Sequence, residues 1–290
     1  MKKYFSLVLF AHSIFALPFA MIGFFLGVTT TSSPFNWWLF VAVILCMVFA
    51  RNSAMAFNRY LDRDIDAKNP RTQMRDIPAG RISANEALLF VIVNCILFII
   101  TTYFINNLCF YLSPVALFVV LFYSYTKRFT ALCHMVLGLG LSLAPIGAYI
   151  AVTGAFSVVP VLYSFAVLFW TGGFDIIYAL QDEDFDRGEK LHSIPAALGI
   201  KNALRLSVVL HIFSALCVFI PILLTPHNFS WFYYVGVIFF CIMLIYQHLL
   251  VKPNDISRVN RAFATANGYA SAVFAICFLI DAFLRINYHF

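Results

Sequence analysis

The sequence predicts an all-α, polytopic membrane bundle of nine transmembrane helices with a cytoplasmic N-terminus, and three observations predict it. Of 290 residues, 62% are hydrophobic and only 11% charged, at a mean hydropathy of +0.89. A water-facing surface needs roughly a quarter of the residues charged, so the bilayer must be the solvent. Apolar stretches near the ~20 residues that cross a bilayer as a helix recur along the whole chain. The links between them alternate between charged and uncharged.

The expected spans are 8–29, 37–57, 86–105, 109–125, 133–152, 158–180, 203–223, 231–250 and 262–284. The start, MKKYFSLVLF, has the basic and apolar regions of a signal peptide. The apolar run continues to Thr29 without a convincing cleavage site, so it reads as a retained first helix. The fourth span is short and holds Pro114, which can bend it. Links after spans one, three, five and seven carry no Lys, Arg, Asp or Glu. The other links hold Arg59, Arg63, Lys68, Arg71, Arg75 and Arg81, then Lys127 and Arg128, then Arg187, Lys190, Lys201 and Arg205, then Lys252, Arg258 and Arg261. The positive-inside rule puts these links in the cytoplasm and the C-terminus outside. Residues 1–290 thus read as one membrane domain.

The net charge of +6 does not point to nucleic acid, because the basic residues fall in short clusters between spans, as topology signals do. The seven cysteines stand singly in apolar stretches without a CxxC pattern and read as buried small hydrophobes.

The acidic residues are harder to explain as background. Asp and Glu contribute little to topology, yet of thirteen all but Asp281 fall on the cytoplasmic side. Most lie in two clusters. Asn58, Asp62 and Asp66 stand four apart and share a helical stripe roughly 12 Å long, while Asp64 points elsewhere. Asp175, Tyr178, Asp182 and Asp186 follow i, i+3, i+7, i+11 and also share a face. Parallel carboxylates near a membrane repel each other unless a cation compensates them. Oxygen-only ligands suit Mg²⁺, which shares its shell with water and substrate phosphates, and neither stripe has the His or Cys that Zn²⁺ favours. The competing reading is a solvated helix end paired with nearby Arg.

The two motifs, NxxxDxxxD at 58–66 and DxxYxxxDxxxD at 175–186 within nine apolar segments, resemble the UbiA superfamily of membrane prenyltransferases. Arg71-Thr72, Arg75 and Pro78-Ala-Gly80 resemble the loop after its first motif, and Tyr123 to Thr130 its YxxxKRxT segment. The likeness runs from the first span to the last. It implies a nine-helix bundle in the bacterial plasma (inner) membrane that joins an isoprenoid diphosphate to a small acceptor, with Mg²⁺, at the cytoplasmic side.

Under that resemblance Asn58, Asp62 and Asp66 hold one Mg²⁺ and Asp182 and Asp186 the other. Lys127, Arg128, Arg71 and Arg75 are candidates to clamp the diphosphate, against a plain role as positive-inside anchors. Lys190 and His192 are weaker candidates, and Tyr123 belongs to the matching segment. Asp175 and Tyr178 sit deeper, where Asp175 either assists the acceptor or pairs with a neighbouring Arg. Arg51 lies about two turns deeper than Asn58 on the same face. It either binds the carboxylate of an aromatic acid or snorkels to the interface. Aromatic faces stabilise the allylic cation, and the chain has 33 Phe, 14 Tyr and 4 Trp, although such residues also fill membrane cores.

The acceptor is expected to be an aromatic acid of the 4-hydroxybenzoate type, a quinone precursor for ubiquinone or menaquinone. HSIPAALG at 192–199 also resembles a subgroup that includes decarboxylating prenylation of 1,4-dihydroxy-6-naphthoate. A membrane transporter is the alternative from another class, but transport sites sit near the bilayer midplane and these acids cluster at one interface.

Overall fold

A chain of this composition can cross a bilayer only as helices, because unpaired peptide groups find no water there. The structure, a computed structural model, describes residues 15–31, 34–225 and 229–288. Its helices are α1 (Leu17–Thr31), α2 (Trp37–Leu61), α3 (Arg63–Lys68), α4 (Ala84–Ile105), α5 (Asn107–Thr126) and α6 (Cys133–Thr153). There follow α7 (Val158–Ala179), α8 (Glu183–Gly188), α9 (Ile194–Leu224), α10 (Trp231–Leu250) and α11 (Asn267–Tyr288). A 3₁₀ turn, Leu180–Asp182, joins α7 to α8, and a π-helical turn, Arg261–Ala266, leads into α11. Among the described residues β-structure is limited to an isolated bridge between Lys252 and Asp255.

Among the described residues eight helical segments are long and apolar enough to cross a membrane, and the chain is an integral membrane protein. They match the second to ninth expected spans. The first is represented by the 15 residues of α1, and positions 8–14 of the expected span lie outside the described residues. The largest boundary difference is at α9, expected from 203 but starting at Ile194. Ser193 caps it by accepting from the Ala196 N–H, and Gly199 interrupts it at φ 73°, ψ 161°, a conformation open to glycine. Pro114 does not end α5. Ser113 Oγ donates at 2.8 Å to the Phe110 carbonyl, the group Pro114 leaves without its usual N–H. Ser83 and Glu86 form a reciprocal capping box that starts α4.

Helix α7 packs between α6 and α9, α2 on α4, α1 on α6 and α11, and α10 on α11. Small residues permit the close crossings. A Cβ on Gly23 of α1 would lie 2.0 Å from the Pro145 carbonyl oxygen of α6. Phe19, Trp170, Phe240 and Phe274 fill the centre, with Phe19 and Trp170 centroids 5.3 Å apart. Large apolar residues such as Phe118, Leu223 and Ile245 face outward, the reverse of a soluble protein. All seven cysteines are free.

Candidate active site

Helix α2 stops at Leu61 because Asp62 turns to φ −89°, ψ 4°, and α3 restarts at Arg63. The helical ladder nevertheless carries through, with Asp62 N–H donating to Asn58 O (2.9 Å) and Asp66 N–H to Asp62 O (2.7 Å). Asn58, Asp62 and Asp66 therefore keep one register, as their spacing predicts. Asp62 and Asp66 are only 1% and 4% exposed, while Asp64 faces solvent. Asn58 Nδ2 donates to Asp62 Oδ2 at 3.0 Å, and Lys127 Nζ lies 2.7 Å from the same oxygen. Arg128 Nη2 is 3.0 Å from Asp62 Oδ1.

The loop after α3 folds back over this motif. Thr72 Oγ1 donates to the Asp66 carbonyl (3.1 Å), and Arg75 Nη1 donates to Asp66 Oδ1 (2.7 Å). Arg71 and Asn69 reach further, to the second motif. Asp182 Oδ1 accepts from Asn69 Nδ2 (3.1 Å) and Arg71 Nε (2.9 Å), and Arg71 Nη2 pairs with Oδ2. Arg71 Nη1 also donates to Tyr178 Oη (3.0 Å), and Lys68 pairs with Glu189 at 2.7 Å. Two acidic motifs more than 100 residues apart are thus joined through Arg71 and Asn69. Asp186 is half-buried, beside Ser193. Burial, against the attraction of Arg59, pushes the Asp66 carboxyl up to about 6. Burial opposes the charge on Arg71, but its hydrogen bonds to Asp182 outweigh this and raise it above the ordinary value.

Deeper in the bundle, Tyr123 of α5 and Arg51 of α2 line the same apolar cavity. Arg51 Nε and Arg59 Nη1 are buried without a hydrogen-bond partner, and neither side chain joins an ion pair among the described residues. The expected alternative of an Arg against Asp175 is corrected here, since its partner is His134 of α6, with Nδ1 2.7 Å from Oδ2. From Arg51 and Tyr123 an apolar cavity of ≈ 370 Å³ runs between α2, α4, α5 and α6 to Ile105 and Phe156.

The donor set fits a hard cation such as Mg²⁺. Asp66 Oδ2 is a buried anionic oxygen that accepts no hydrogen bond, and the buried Asp62 Oδ1 faces only the Arg128 guanidinium at 3.0 Å, so both acids have an oxygen free to ligate a cation. Among the described residues no three His, Cys, Asp or Glu side chains are grouped closely enough to hold a metal by themselves. That suits an ion bound by one or two carboxylates with phosphate and water completing its shell. Lys and Arg neutralise the acids meanwhile.

Not every expected residue joins this network. Lys190 sits exposed on a left-handed turn at φ 56° and takes part in no ion pair among the described residues. Arg128 is tied to the Ser124 and Leu61 carbonyls at 2.9 and 3.0 Å, so it braces the loop as well as facing Asp62. His192 contributes its backbone, donating N–H to the Lys127 carbonyl at 2.7 Å. Four residues join without being expected: Arg59, Asn69, His134 and Phe263, whose ring lies 4.2 Å from that of Tyr178. Arg59 carries a signal, as a cation inside the first motif. Phe263 and His134 carry none, because their partners lie on other helices.

Fold and site together define a polytopic membrane prenyltransferase. The chain belongs to the UbiA prenyltransferase family, which it matches over residues 16–275. The 4-hydroxybenzoate octaprenyltransferase of Tolumonas auensis is 30% identical over 237 residues, covering 82% of this chain and 81% of that one. A UbiA homolog from Aeropyrum pernix K1, solved in its apo form, superposes at a TM-score of 0.83 with 30% identity, covering 93% of this chain and 98% of that one. A UbiA homolog from Archaeoglobus fulgidus, solved with GPP and Mg²⁺, shares the fold at a TM-score of 0.73 and 22% identity, over 97% of this chain and 99% of that one.

Proposed function

We propose that the protein transfers a polyprenyl group from its diphosphate to a small aromatic acid of the 4-hydroxybenzoate type, releasing diphosphate, in quinone synthesis. The observation that carries this reading is the junction of the two acidic motifs through Arg71, together with an apolar cavity lined by Arg51, whose buried Nε has no hydrogen-bond partner among the described residues. The name of the Tolumonas auensis relative supports the same acceptor class. The clustering of basic links at the acidic end supports a site on the cytoplasmic side of a bacterial inner membrane.

In this reading Asn58, Asp62 and Asp66 hold one Mg²⁺, and Asp182 and Asp186 a second. When bound, the ions neutralise charge on the diphosphate and ease its departure. Lys127, Arg71 and Arg75, released from their carboxylates, grip the phosphate oxygens. The prenyl tail lies in the apolar cavity, where burial of each methylene favours binding by about 0.8 kcal/mol. Arg51 binds the acceptor carboxylate and so fixes which ring carbon meets the tail. The prenyl carbon–oxygen bond breaks, and the ring carbon beside the hydroxyl bonds to that prenyl carbon. Asp175 takes the displaced ring proton. Tyr178, tilted 33° against Phe263 and lying under the Arg71 guanidinium, offers its ring face to the developing cation once Arg71 turns to the diphosphate.

The test offers labelled polyprenyl diphosphate with Mg²⁺ to the purified protein, together with 4-hydroxybenzoate, 1,4-dihydroxy-2-naphthoate or 1,4-dihydroxy-6-naphthoate. Prenylated 4-hydroxybenzoate without CO₂ release is expected. CO₂ released with 1,4-dihydroxy-6-naphthoate alone would move the protein to the decarboxylating branch. No transfer to any of the three by folded protein overturns the aromatic-acid reading.

A further inference from the structure

His134 stands in the first turn of α6 and is 3% exposed. Its Nδ1 lies 2.7 Å from Asp175 Oδ2, and its Nε2 lies 3.2 Å from the backbone nitrogen of Ile194, the first residue of α9. A backbone N–H can only donate, so Nε2 must offer its lone pair and carry no proton. The ring proton is therefore on Nδ1, where it donates to Asp175. A doubly protonated ring would aim two N–H groups at each other. The two contacts together select one neutral tautomer.

The surroundings leave Asp175 little freedom except its own side-chain rotation. At the same level of α7, Ser207 Oγ of α9 donates to the Gly173 carbonyl at 2.7 Å. His211 packs so closely on Gly173 that a Cβ there would lie 2.3 Å from its Nε2. The backbone carrying Asp175 is thus held from the α9 side, and His134 grips the carboxylate from the α6 side. The Asp175 side chain remains 22% exposed while that of His134 is 4% exposed. The imidazole engages Oδ2, and the side chain as a whole keeps part of its surface exposed.

We infer that His134 is a positioning residue for prenyl transfer: its Nδ1–H holds Asp175 Oδ2 so that the second oxygen faces the acceptor. This rests on the role given above to Asp175. The competing role is a brace, in which His134 serves only to anchor the segment before α9 through Ile194.

Two conservative variants separate these roles. In H134N the amide nitrogen falls near Nδ1 and keeps the donor to Asp175, while the Ile194 N–H loses its acceptor. In H134Q the amide oxygen reaches the Nε2 position and keeps the Ile194 bond, while Asp175 loses its donor. Positioning predicts that H134Q loses kcat by on the order of 100-fold with both KM values little changed, as for a misplaced reacting group. H134N then retains most of kcat, and H134Q adds no loss on top of D175N. A folded H134Q at wild-type kcat, with H134N impaired, overturns positioning in favour of the brace. Wild-type kcat in D175N instead overturns the role of Asp175, a distinct failure. The test does not depend on the variants folding, because ¹⁵N-histidine NMR of the wild-type protein reads the tautomer directly. A protonated Nδ1 with a bare Nε2 is expected, and a signal for protonated Nε2 at His134 overturns the inference.

Discussion

Arg71 joins the two acidic motifs by donating Nε to Asp182 Oδ1 at 2.9 Å and Nη1 to Tyr178 Oη at 3.0 Å, from a loop that Thr72 ties to Asp66. The same pattern recurs around it, with Lys127 on Asp62 and Arg75 on Asp66. Cations that would bind phosphate are paired with carboxylates that would bind metal. Either ligand alone must break these pairs, whereas both together exchange every partner. Mg²⁺ and pyrophosphate are therefore expected to bind synergistically, with a coupling of about 5- to 150-fold in affinity. Titration calorimetry of each alone and of both together checks this, and simple additivity would refute it.

Asp62→Asn and Asp182→Asn are expected to abolish transfer while leaving a folded protein. Each removes the charge on a metal-facing oxygen and keeps the side chain's shape. Wild-type activity in either, at a thermal midpoint near that of the parent, would count against the assignment of these two acids to the metals.

Arg51→Ala is expected to raise the acceptor KM by about 10- to 100-fold, the loss of one charged hydrogen bond. The KM of the prenyl donor should move little, because Arg51 lies deeper than the diphosphate-facing residues. Equal increases in both constants would show that Arg51 is not a carboxylate anchor.

Ala144 lines the apolar cavity on α6. Replacing it with Phe narrows the tunnel without adding charge. The expected result is a fall of kcat/KM for long polyprenyl diphosphates with geranyl diphosphate still used, measured by product analysis across chain lengths. An unchanged chain-length profile would place the tail elsewhere.

The raised Asp66 carboxyl gives a pH dependence with a defined sign. As pH falls through about 6 this group takes up a proton that a metal must displace. The Mg²⁺ concentration for half-maximal binding should rise below that value and level off above it. For folding, the raised value means that the group's stabilising contribution is full below its ordinary 3.8 and lost by about 6. A flat Mg²⁺ profile across roughly pH 5 to 8 would remove Asp66 from the metal site.

Much of this site is legible along the chain. The spacing of Asn58, Asp62 and Asp66 survives the break at Asp62, because the backbone ladder runs through it. Arg51 and Tyr123 are expected site residues and both line the apolar cavity. The cavity itself and the His134–Asp175 bond are not legible, since the bond joins residues 41 apart on neighbouring helices. Lys190 follows an acidic motif yet turns outward at a left-handed residue, which proximity along the chain does not reveal.

The sequence by itself determines that the chain lives in a bilayer, where most of its spans fall, and that Asn58, Asp62 and Asp66 share one helical register. Hydropathy and helical period are properties of neighbouring residues and need no knowledge of distant ones. Tertiary structure alone decides that Arg71 closes on Asp182, that His134 grips Asp175, and that an apolar cavity opens at Arg51. Charges interact through space with a strength set by distance and burial, and folding brings groups more than 100 residues apart within hydrogen-bonding reach.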